Sequence, residues 1–210
     1  RRRAPAPLPL ERSRGRAMNA SRRIHITGAS GTGVSTLGAE VAERTRLAHL
    51  DTDDFYWRPT DPPYRETRDP AERVRLIREA FAVNPRGWVL SGSLDGWGDP
   101  LIPVFDLVVF LRASTKTRLE RLRRRERGRH GAAIEPGGPL RTQHLDFLAY
   151  AAAYDTGVFT GPMTGRHLAR HEAWLGGLPC PTLRLDSAAP VAILVRAILD
   201  RLCHPDEKAV

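Results

Sequence analysis

The chain has 210 residues, of which 41% are hydrophobic and 27% charged, a balance typical of a soluble globular domain. The net charge of +9 is concentrated in residues 1–23, which hold eight arginines and one acid, so the rest is nearly neutral and gives no reason to expect a nucleic-acid-binding domain. No apolar run is long enough to span a membrane, and Cys180 and Cys203 form no metal or disulfide pattern, which favours a cytoplasmic protein with reduced thiols.

The first 21 residues are rich in arginine, proline and alanine and lack an apolar segment. This composition predicts a disordered basic leader over 1–21 rather than a secretory signal. A basic arm that tethers the protein to nucleic acid is the alternative. Residues 22–204 are expected to form one domain, in which 121–178 make up a lid and a helical insertion, and 205–210 form a tail.

The first part of this domain alternates predicted strands and helices. Residues 23–30 form a β-rich run that breaks into glycines, and apolar spacing predicts a helix over 35–47. A second strand is predicted over 47–54, where it ends in three acids. A proline-rich loop follows at 58–67.

The middle of the domain continues the alternation. Asp69 and Pro70 provide the N-cap and the first-turn proline of a helix that ends near Asn84. Residues 87–93 read as a third strand that enters a glycine turn. The continuous apolar run at 105–113 predicts a strand that is buried on both faces.

The last part is predicted to be mainly helical. Ser114 can cap a helix, further helices are expected around 141–154 and 164–175, a strand over 181–186, and a final helix from Pro190. Strands that alternate with helices predict an α/β fold with a five-stranded parallel sheet and helices on both faces. Ligands of such a sheet bind at the carboxyl ends of its strands.

The stretch GASGTGVST nearly matches the phosphate-binding loop pattern G-x-x-x-x-G-K-[ST]. Gly28, Gly33 and Ser35 fit it, whereas Val34 occupies the lysine position. Backbone N–H groups of such a loop surround a phosphate, and the serine hydroxyl can bind Mg²⁺. A plain glycine turn is the alternative. The predicted nucleotide-binding residues are Gly28, Ala29, Ser30, Gly31, Thr32, Gly33, Val34, Ser35 and Thr36.

Around this loop the chain resembles the small kinases of the adenylate kinase and shikimate kinase type, in particular a bacterial adenylate-kinase-like group whose loop lacks the lysine. The stretch GTGVSTLGAEVAERTRLAHLDTDD carries the resemblance, and Asp51, Thr52 and Asp53 match the D-[ST]-D triplet of shikimate kinases. WVLSGS resembles their glycine turn beside the acceptor, and RLRRRERGR the start of their lid. The resemblance covers roughly 22–130 and 180–203 and implies a P-loop NTPase fold.

The resemblance also implies roles for individual residues. ATP and Mg²⁺ are expected as cofactors, with Ser35 and Asp51 near the metal. Asp53 is expected to orient the acceptor hydroxyl or take its proton. The alternative is that two of the three acids only cap the chain after the strand. The residues expected on the acceptor side are Asp54, Trp57, Arg58, Gly92 and Trp97.

Those acceptor-side residues also have plainer interpretations. Trp57 could fill the core as well as line a pocket, Arg58 could simply be exposed, and Trp97 sits in a glycine-rich loop where pocket lining is favoured.

The missing lysine requires another cation, because phosphoryl transfer depends on electrostatic stabilisation. The arginine-rich run at 121–129 is the densest source, and Arg121 and Arg125 are the predicted catalytic pair. A solvated basic face is the alternative. Beyond residue 130 the resemblance fails: Arg166 and Arg170 share a helix face that could meet nucleotide or acceptor, although a helical cover over the lid side is the plainer interpretation.

Together these patterns predict ATP-dependent phosphoryl transfer to a small metabolite, with a nucleoside or nucleoside monophosphate as the leading acceptor. Val34 favours a second interpretation, a nucleotide-binding regulator with a catalytically weak loop. The arginines near the amino terminus alone support a third, a nucleic-acid-associated protein. The expected partners are a nucleotide and a small-molecule acceptor, without a membrane, and the sequence leaves the oligomeric state open.

Overall fold

Five parallel strands form the centre of the molecule in the computed structural model, which describes residues 22–61 and 63–204. The predicted leader and tail therefore lie outside the described residues. The strands are β1 (Arg22–Gly28), β2 (Ala48–Asp51), β3 (Gly87–Ser91), β4 (Leu107–Arg112) and β5 (Thr182–Asp186). Their order across the sheet is β2-β3-β1-β4-β5. The prediction of a five-stranded parallel sheet is confirmed.

Strand β1 lies in the middle of the sheet because its residues are apolar or hydrogen-bonded on both faces. Ile24 and Ile26 pack with Leu37 and Val41 on one face. On the other face His25 is completely buried and its Nδ1 lies 3.0 Å from the carbonyl oxygen of Leu90. Burial on both faces is the usual state of strands in a parallel sheet.

Seven α-helices cover the two faces of the sheet and build the insertion within the described residues. They are α1 (Val34–Thr45), α2 (Thr52–Tyr56), α3 (Pro70–Ala82), α4 (Thr115–His130), α5 (Arg141–Ala152), α6 (Leu168–Gly176) and α7 (Val191–Cys203). Two 3₁₀ segments, Asp99–Val104 and Gly131–Ile134, complete the described part of the chain.

The predicted helix starts follow from their caps. The Asp69 carboxylate accepts a hydrogen bond from Ala71 N at 2.8 Å, and Ser114 Oγ accepts one from Thr117 N at 3.2 Å. Each side chain satisfies a backbone donor that the first helical turn leaves unpaired.

The strand predicted over 47–54 was wrong in its second half. Strand β2 ends at Asp51, where the carboxylate accepts a hydrogen bond from Asp53 N at 3.1 Å and so caps helix α2. Two helix bounds also differ from prediction. Helix α1 ends at Thr45 because Arg46 adopts a left-handed conformation with φ of 56°, and α6 begins only at Leu168, after His167 as its cap.

No helix within residues 22–61 and 63–204 combines the length and the apolar character that a bilayer crossing requires.

Candidate nucleotide and acceptor site

The loop between β1 and α1 has a shape that depends on its glycines. Gly31 and Gly33 adopt φ of 85° and 96°, which side chains other than glycine rarely tolerate. A Cβ at Gly28 would overlap the carbonyl oxygen of Leu111. Thr32 is buried, and its hydroxyl donates to Ala29 O at 2.8 Å. Gly28 is thus packed against the protein, whereas a Cβ at Gly33 would meet nothing within 4 Å, so the backbone at Gly33 is open to a ligand such as a phosphate-bearing group.

Val34 is the first residue of α1 and takes part in the hydrophobic core. It is partly buried and packs against the cluster that β1, α1 and α7 form. Its Cγ1 lies 3.3 Å from the position that a Cβ on Gly28 would occupy. An apolar side chain in this place contributes packing and offers no donor to a phosphate.

A hydroxyl and a carboxylate meet at the start of the same helix. Ser35 Oγ donates to Asp51 Oδ2 at 2.6 Å, and Ser91 Oγ approaches the same oxygen at 3.3 Å. Hard oxygen ligands of this kind are those that Mg²⁺ binds in proteins, usually together with water and substrate phosphates. Ser35 and Asp51 therefore fit the metal-binding role expected of them.

Asp53 and Asp54 follow in helix α2, and both residues are exposed to solvent. The pKa of Asp53 is raised, first because surrounding protein atoms remove part of its hydration, and second because Asp51 adds negative charge; Arg166 and Arg125 oppose this shift. The pKa of Asp54 is raised by the same two kinds of cause. A carboxylate with a raised pKa is a stronger base than an ordinary aspartate.

Arg121 holds the loop rather than extending into open solvent. Its Nη1 donates to Thr32 O at 3.2 Å and to Ser187 Oγ at 2.9 Å, and its Nη2 donates to Ser187 O at 3.0 Å. Arg125 is exposed and pairs with Glu126 at 2.8 Å. Arg121 thus joins the phosphate loop to the segment after β5, and Arg125 is the member of the predicted pair whose charge reaches Asp53.

Replacing Arg121 with alanine is expected to lower the free energy of unfolding by about 1–3 kcal/mol, because three hydrogen bonds from a charged group are lost. Arg124, exposed on the same helix, provides the control: alanine there should change stability by less than about 0.5 kcal/mol. Urea unfolding of both variants measures the difference. Equal stabilities would show that the observed contacts of Arg121 contribute nothing to the fold.

The insertion brings Arg166 to the loop. Its Nη2 donates to Ser30 Oγ at 3.2 Å, and its Nε is buried without a hydrogen-bond partner. The sequence indicated this residue only as one of two arginines on a face that could meet a ligand. The distance of 136 residues between Ser30 and Arg166 explains why no local pattern could assign it.

The acceptor-side residues are gathered around the carboxyl end of β3, with one exception. Gly92 has φ of 119°, and a Cβ there would overlap Thr52 Oγ1. The Trp97 ring lies 6.1 Å from that of Tyr56. Arg58, in contrast, pairs with Glu72 at 2.8 Å. The acceptor roles of these residues remain predictions, and the Arg58 pair favours the simpler interpretation of that residue.

Arg73 was not singled out from the sequence. Its guanidinium lies 3.8 Å from the ring centroid of Tyr56 and 5.5 Å from that of Trp97, and only 6% of the residue is exposed. A buried arginine between two aromatic rings fixes both rings by cation–π contacts. The only sequence signal for Arg73 is its position on an apolar helix face, one turn after Asp69.

Trp57 contributes to an aromatic group beside this region. Its ring lies 4.9 Å from that of Tyr56 and 5.7 Å from that of Tyr64. Its backbone forms an isolated antiparallel bridge with Thr67, and the Arg68 guanidinium donates to its carbonyl oxygen. These contacts support the packing interpretation as well as the pocket-lining one.

Two cavities lie near the predicted residues. One of about 610 Å³ is a groove between α3 and Trp97, lined also by Val74 and Pro100, and it is remote from the phosphate loop. The other, of about 540 Å³, reaches Ala29 and Thr32 at the loop. Apart from these two buried loop residues, this second cavity is lined mainly by residues at the ends of β4 and β5, and neither Ser35 nor Asp51 belongs to its lining.

A metal site made of protein side chains alone is not found in the part of the chain that the structure describes, since no three His, Cys, Asp or Glu residues converge there. His167 and His171, spaced for a shared helix face, do not form one. Both ring nitrogens of His171 are in contact with hydroxyls, Nε2 with Thr27 Oγ1 at 3.1 Å and Nδ1 with the Tyr154 hydroxyl at 2.9 Å.

Comparisons with known proteins identify a family and a similar fold. Residues 24–135 match a family model described as "AAA domain". "Uncharacterized protein YqaC" of Bacillus subtilis (strain 168) is 41% identical over 181 residues, which cover 86% of this chain and 97% of that protein.

Solved structures of similar shape include two kinases. Shikimate kinase from Acinetobacter baumannii in complex with shikimate aligns with a TM-score of 0.55 at 15% identity, over 92% of this chain and 99% of that one. A gluconokinase from Sinorhizobium meliloti 1021 aligns with a TM-score of 0.48 at 20% identity, over 90% and 94% of the two chains. The shikimate kinase alignment confirms the predicted α/β P-loop fold.

Proposed function

Because the chain belongs to the AAA domain family and shares its fold with a small P-loop kinase, we propose that it is an ATP-dependent kinase of a small metabolite. The proposal rests on the hydrogen bond from Ser35 to Asp51 beside the loop, and on Asp53, which follows two residues later in helix α2. A nucleoside or nucleoside monophosphate is the first class of acceptor to test. A cytoplasmic location and the division into leader, domain and tail stay predictions.

The proposed reaction divides between residues of the loop and of α2. The loop backbone binds the phosphates of ATP, and Ser35 and Asp51 would hold Mg²⁺, which when bound neutralises phosphate charge. Asp53 orients the acceptor hydroxyl and accepts its proton. The acceptor oxygen forms a bond to the γ-phosphorus while the bond to the β–γ bridging oxygen breaks, so that ADP leaves and the proton passes from Asp53 to solvent.

A nucleotide-binding regulator is the second candidate. The packing of Val34 in the core supports it, since the side chain that normally contacts the β- and γ-phosphates is replaced by one with a structural role. In this case the protein would bind ATP tightly and transfer no phosphoryl group to any acceptor. Nucleic-acid association rests on the arginines of the leader alone, which lie outside the described residues.

ATP with Mg²⁺ is expected to raise the melting temperature, because the loop backbone, Ser35 and Asp51 are in place. At 100 times its dissociation constant a ligand adds about 2.7 kcal/mol to the free energy of unfolding. Differential scanning fluorimetry with ATP, GTP and AMP, each with and without Mg²⁺, measures the shift. If no purine nucleotide raises the melting temperature at millimolar concentration, the proposed nucleotide site does not exist.

Turnover then separates the two candidates. Release of ADP in the presence of nucleosides, nucleoside monophosphates and hydroxylated acids identifies an acceptor for a kinase. Tight binding of ATP without ADP release above the rate of spontaneous hydrolysis, for every acceptor, would establish the regulator instead.

A further inference from the structure

The arginines considered for the phosphate site differ in the groups that their guanidinium already contacts. Arg121 is bound to two carbonyl oxygens and a hydroxyl, Arg125 pairs with Glu126, and Arg170 pairs with Asp95 at 2.8 Å. Arg166 makes no ion pair within the part of the chain that the structure describes. Among the described residues it makes one hydrogen bond, to Ser30 Oγ in the middle of the loop.

The position of Arg166 is fixed by the elements on either side of it. Leu168, two residues later, donates its backbone N–H to Tyr154 O at 2.7 Å. The Tyr154 hydroxyl contacts His171, which in turn contacts Thr27 at the end of β1. The start of α6 is thereby attached to the strand that enters the phosphate loop, so Arg166 is held beside the loop rather than carried on a free segment.

The groups in this attachment remain neutral. Burial, aided by the positive charge of Arg166, lowers the pKa of His171 to about 3, and burial raises the pKa of Tyr154 to about 12. Neither side chain can therefore pair with the guanidinium. The buried Nε of Arg166 has no hydrogen-bond partner among the described residues, as is also true of Arg118 Nε, and a ligand or water can satisfy such a group.

Ser30 is the third residue of the stretch GASGTGVST, so its contact places the Arg166 guanidinium on the phosphate loop itself. In a loop of the usual pattern, the lysine after the second glycine contacts the β- and γ-phosphates, and Val34 occupies that position here.

We propose that Arg166 supplies the cation that Val34 has removed from the loop, and that its guanidinium binds the β- and γ-phosphates of the nucleotide. The inference rests on the proposed function, because it requires a nucleotide in the loop. It differs from the prediction made for the arginine-rich run at 121–129, since Arg166 comes from the insertion, outside the matched residues 24–135. The planar guanidinium can contact two phosphate oxygens at once, which a valine cannot do.

The test compares the affinities of three nucleotides by isothermal titration calorimetry. Arg166→Ala is expected to weaken Mg·ATP binding about 10- to 100-fold, ADP less, and AMP not measurably, because AMP has neither a β- nor a γ-phosphate. Arg166→Lys keeps the charge and is expected to lose less than Arg166→Gln. Arg170→Ala is the matched control from the same segment and should leave ATP affinity within about twofold.

A second substitution tests directly whether Arg166 takes the place of the missing lysine. Val34→Lys in the Arg166→Ala background should recover at least a part of the lost ATP affinity, because it returns a cation to the loop. Melting temperatures of all variants confirm that they fold. Equal loss of ATP, ADP and AMP affinity, or an unchanged ATP affinity in Arg166→Ala, would overturn the inference and leave the proposed kinase function standing. Absence of ATP binding by the unmodified protein would overturn both.

Discussion

Replacing Asp53 with asparagine is expected to lower turnover about 10²- to 10⁴-fold and to leave the affinity for Mg·ATP within about twofold. Asp53 is exposed to solvent, so an acceptor could approach it, and asparagine cannot accept the hydroxyl proton. Steady-state release of ADP with the acceptor identified for the unmodified protein gives kcat, and calorimetry gives the affinity. A parallel loss of ATP affinity would place Asp53 at the metal instead of the acceptor.

The same variant should be more stable than the unmodified protein at neutral pH. Because the pKa of Asp53 is raised in the folded state, the folded protein binds this proton more readily than the unfolded chain, so ionisation of Asp53 destabilises the fold above that pKa. Asparagine removes this cost, and its advantage should vanish as the pH falls through the raised pKa. Thermal unfolding at several pH values checks the sign, and Asp54→Asn, with a pKa raised by similar causes, gives the comparison for stability.

The pH dependence of kcat/KM should also reflect the ionisation of Asp53. If the Asp53 carboxylate is the base, activity on its acid side should fall through a pKa above that of an ordinary aspartate, about 3.9. A profile that remains flat down to this value would contradict the assignment.

Gly31→Ala is expected to destabilise the protein much more than Gly33→Ala. Both glycines have positive φ, so alanine costs roughly 1–2 kcal/mol at either position. At Gly31 the new Cβ would also lie 2.6 Å from the carbonyl oxygen of Arg118 in α4, which adds about 1–3 kcal/mol of overpacking. At Gly33 it would meet no atom within 4 Å.

Urea unfolding without nucleotide measures this difference, so that ligand contacts do not contribute. The lack of nucleotide matters because both glycines belong to the predicted binding loop. Equal free energies of unfolding for the two variants would mean that α4 moves away from the loop at little cost, and that the loop is not shaped by its contact with Arg118.

Local patterns predicted the sheet and most of its helices because their signals are short-range. The apolar run at 105–113, the proline and cap at Asp69 and Pro70, and the glycines of the loop each specify their own backbone. The end of β2 was predicted wrongly because the Asp51 side chain caps α2. Asp51, Asp53 and Asp54 alone do not indicate whether the chain continues as a strand or begins a helix. The sequence nevertheless predicted correctly that these acids lie at the carboxyl edge of the sheet.

The cations of the site could not be predicted in the same way. Arg121 lies in the arginine-rich run at 121–129, whereas Arg166 has only one other arginine, Arg170, within ten residues, so the density of arginines drew attention to the first residue and not to the second. Their roles are decided by tertiary contacts, with Ser187 for the first and with Ser30 for the second. Val34 shows the same limitation, because it packs against a core cluster that includes residues of α7, a helix that begins at residue 191.

The bond from Arg166 to Ser30 joins residues 136 positions apart and has a consequence for the order in which the protein is made. Synthesis proceeds from the amino terminus, so the loop leaves the ribosome long before the arginine that would complete its charge. A nascent chain that ends near residue 135 contains every residue of the matched family region and lacks this cation. Under the inference drawn for Arg166, tight nucleotide binding would therefore arise only after the chain has been synthesised beyond residue 166.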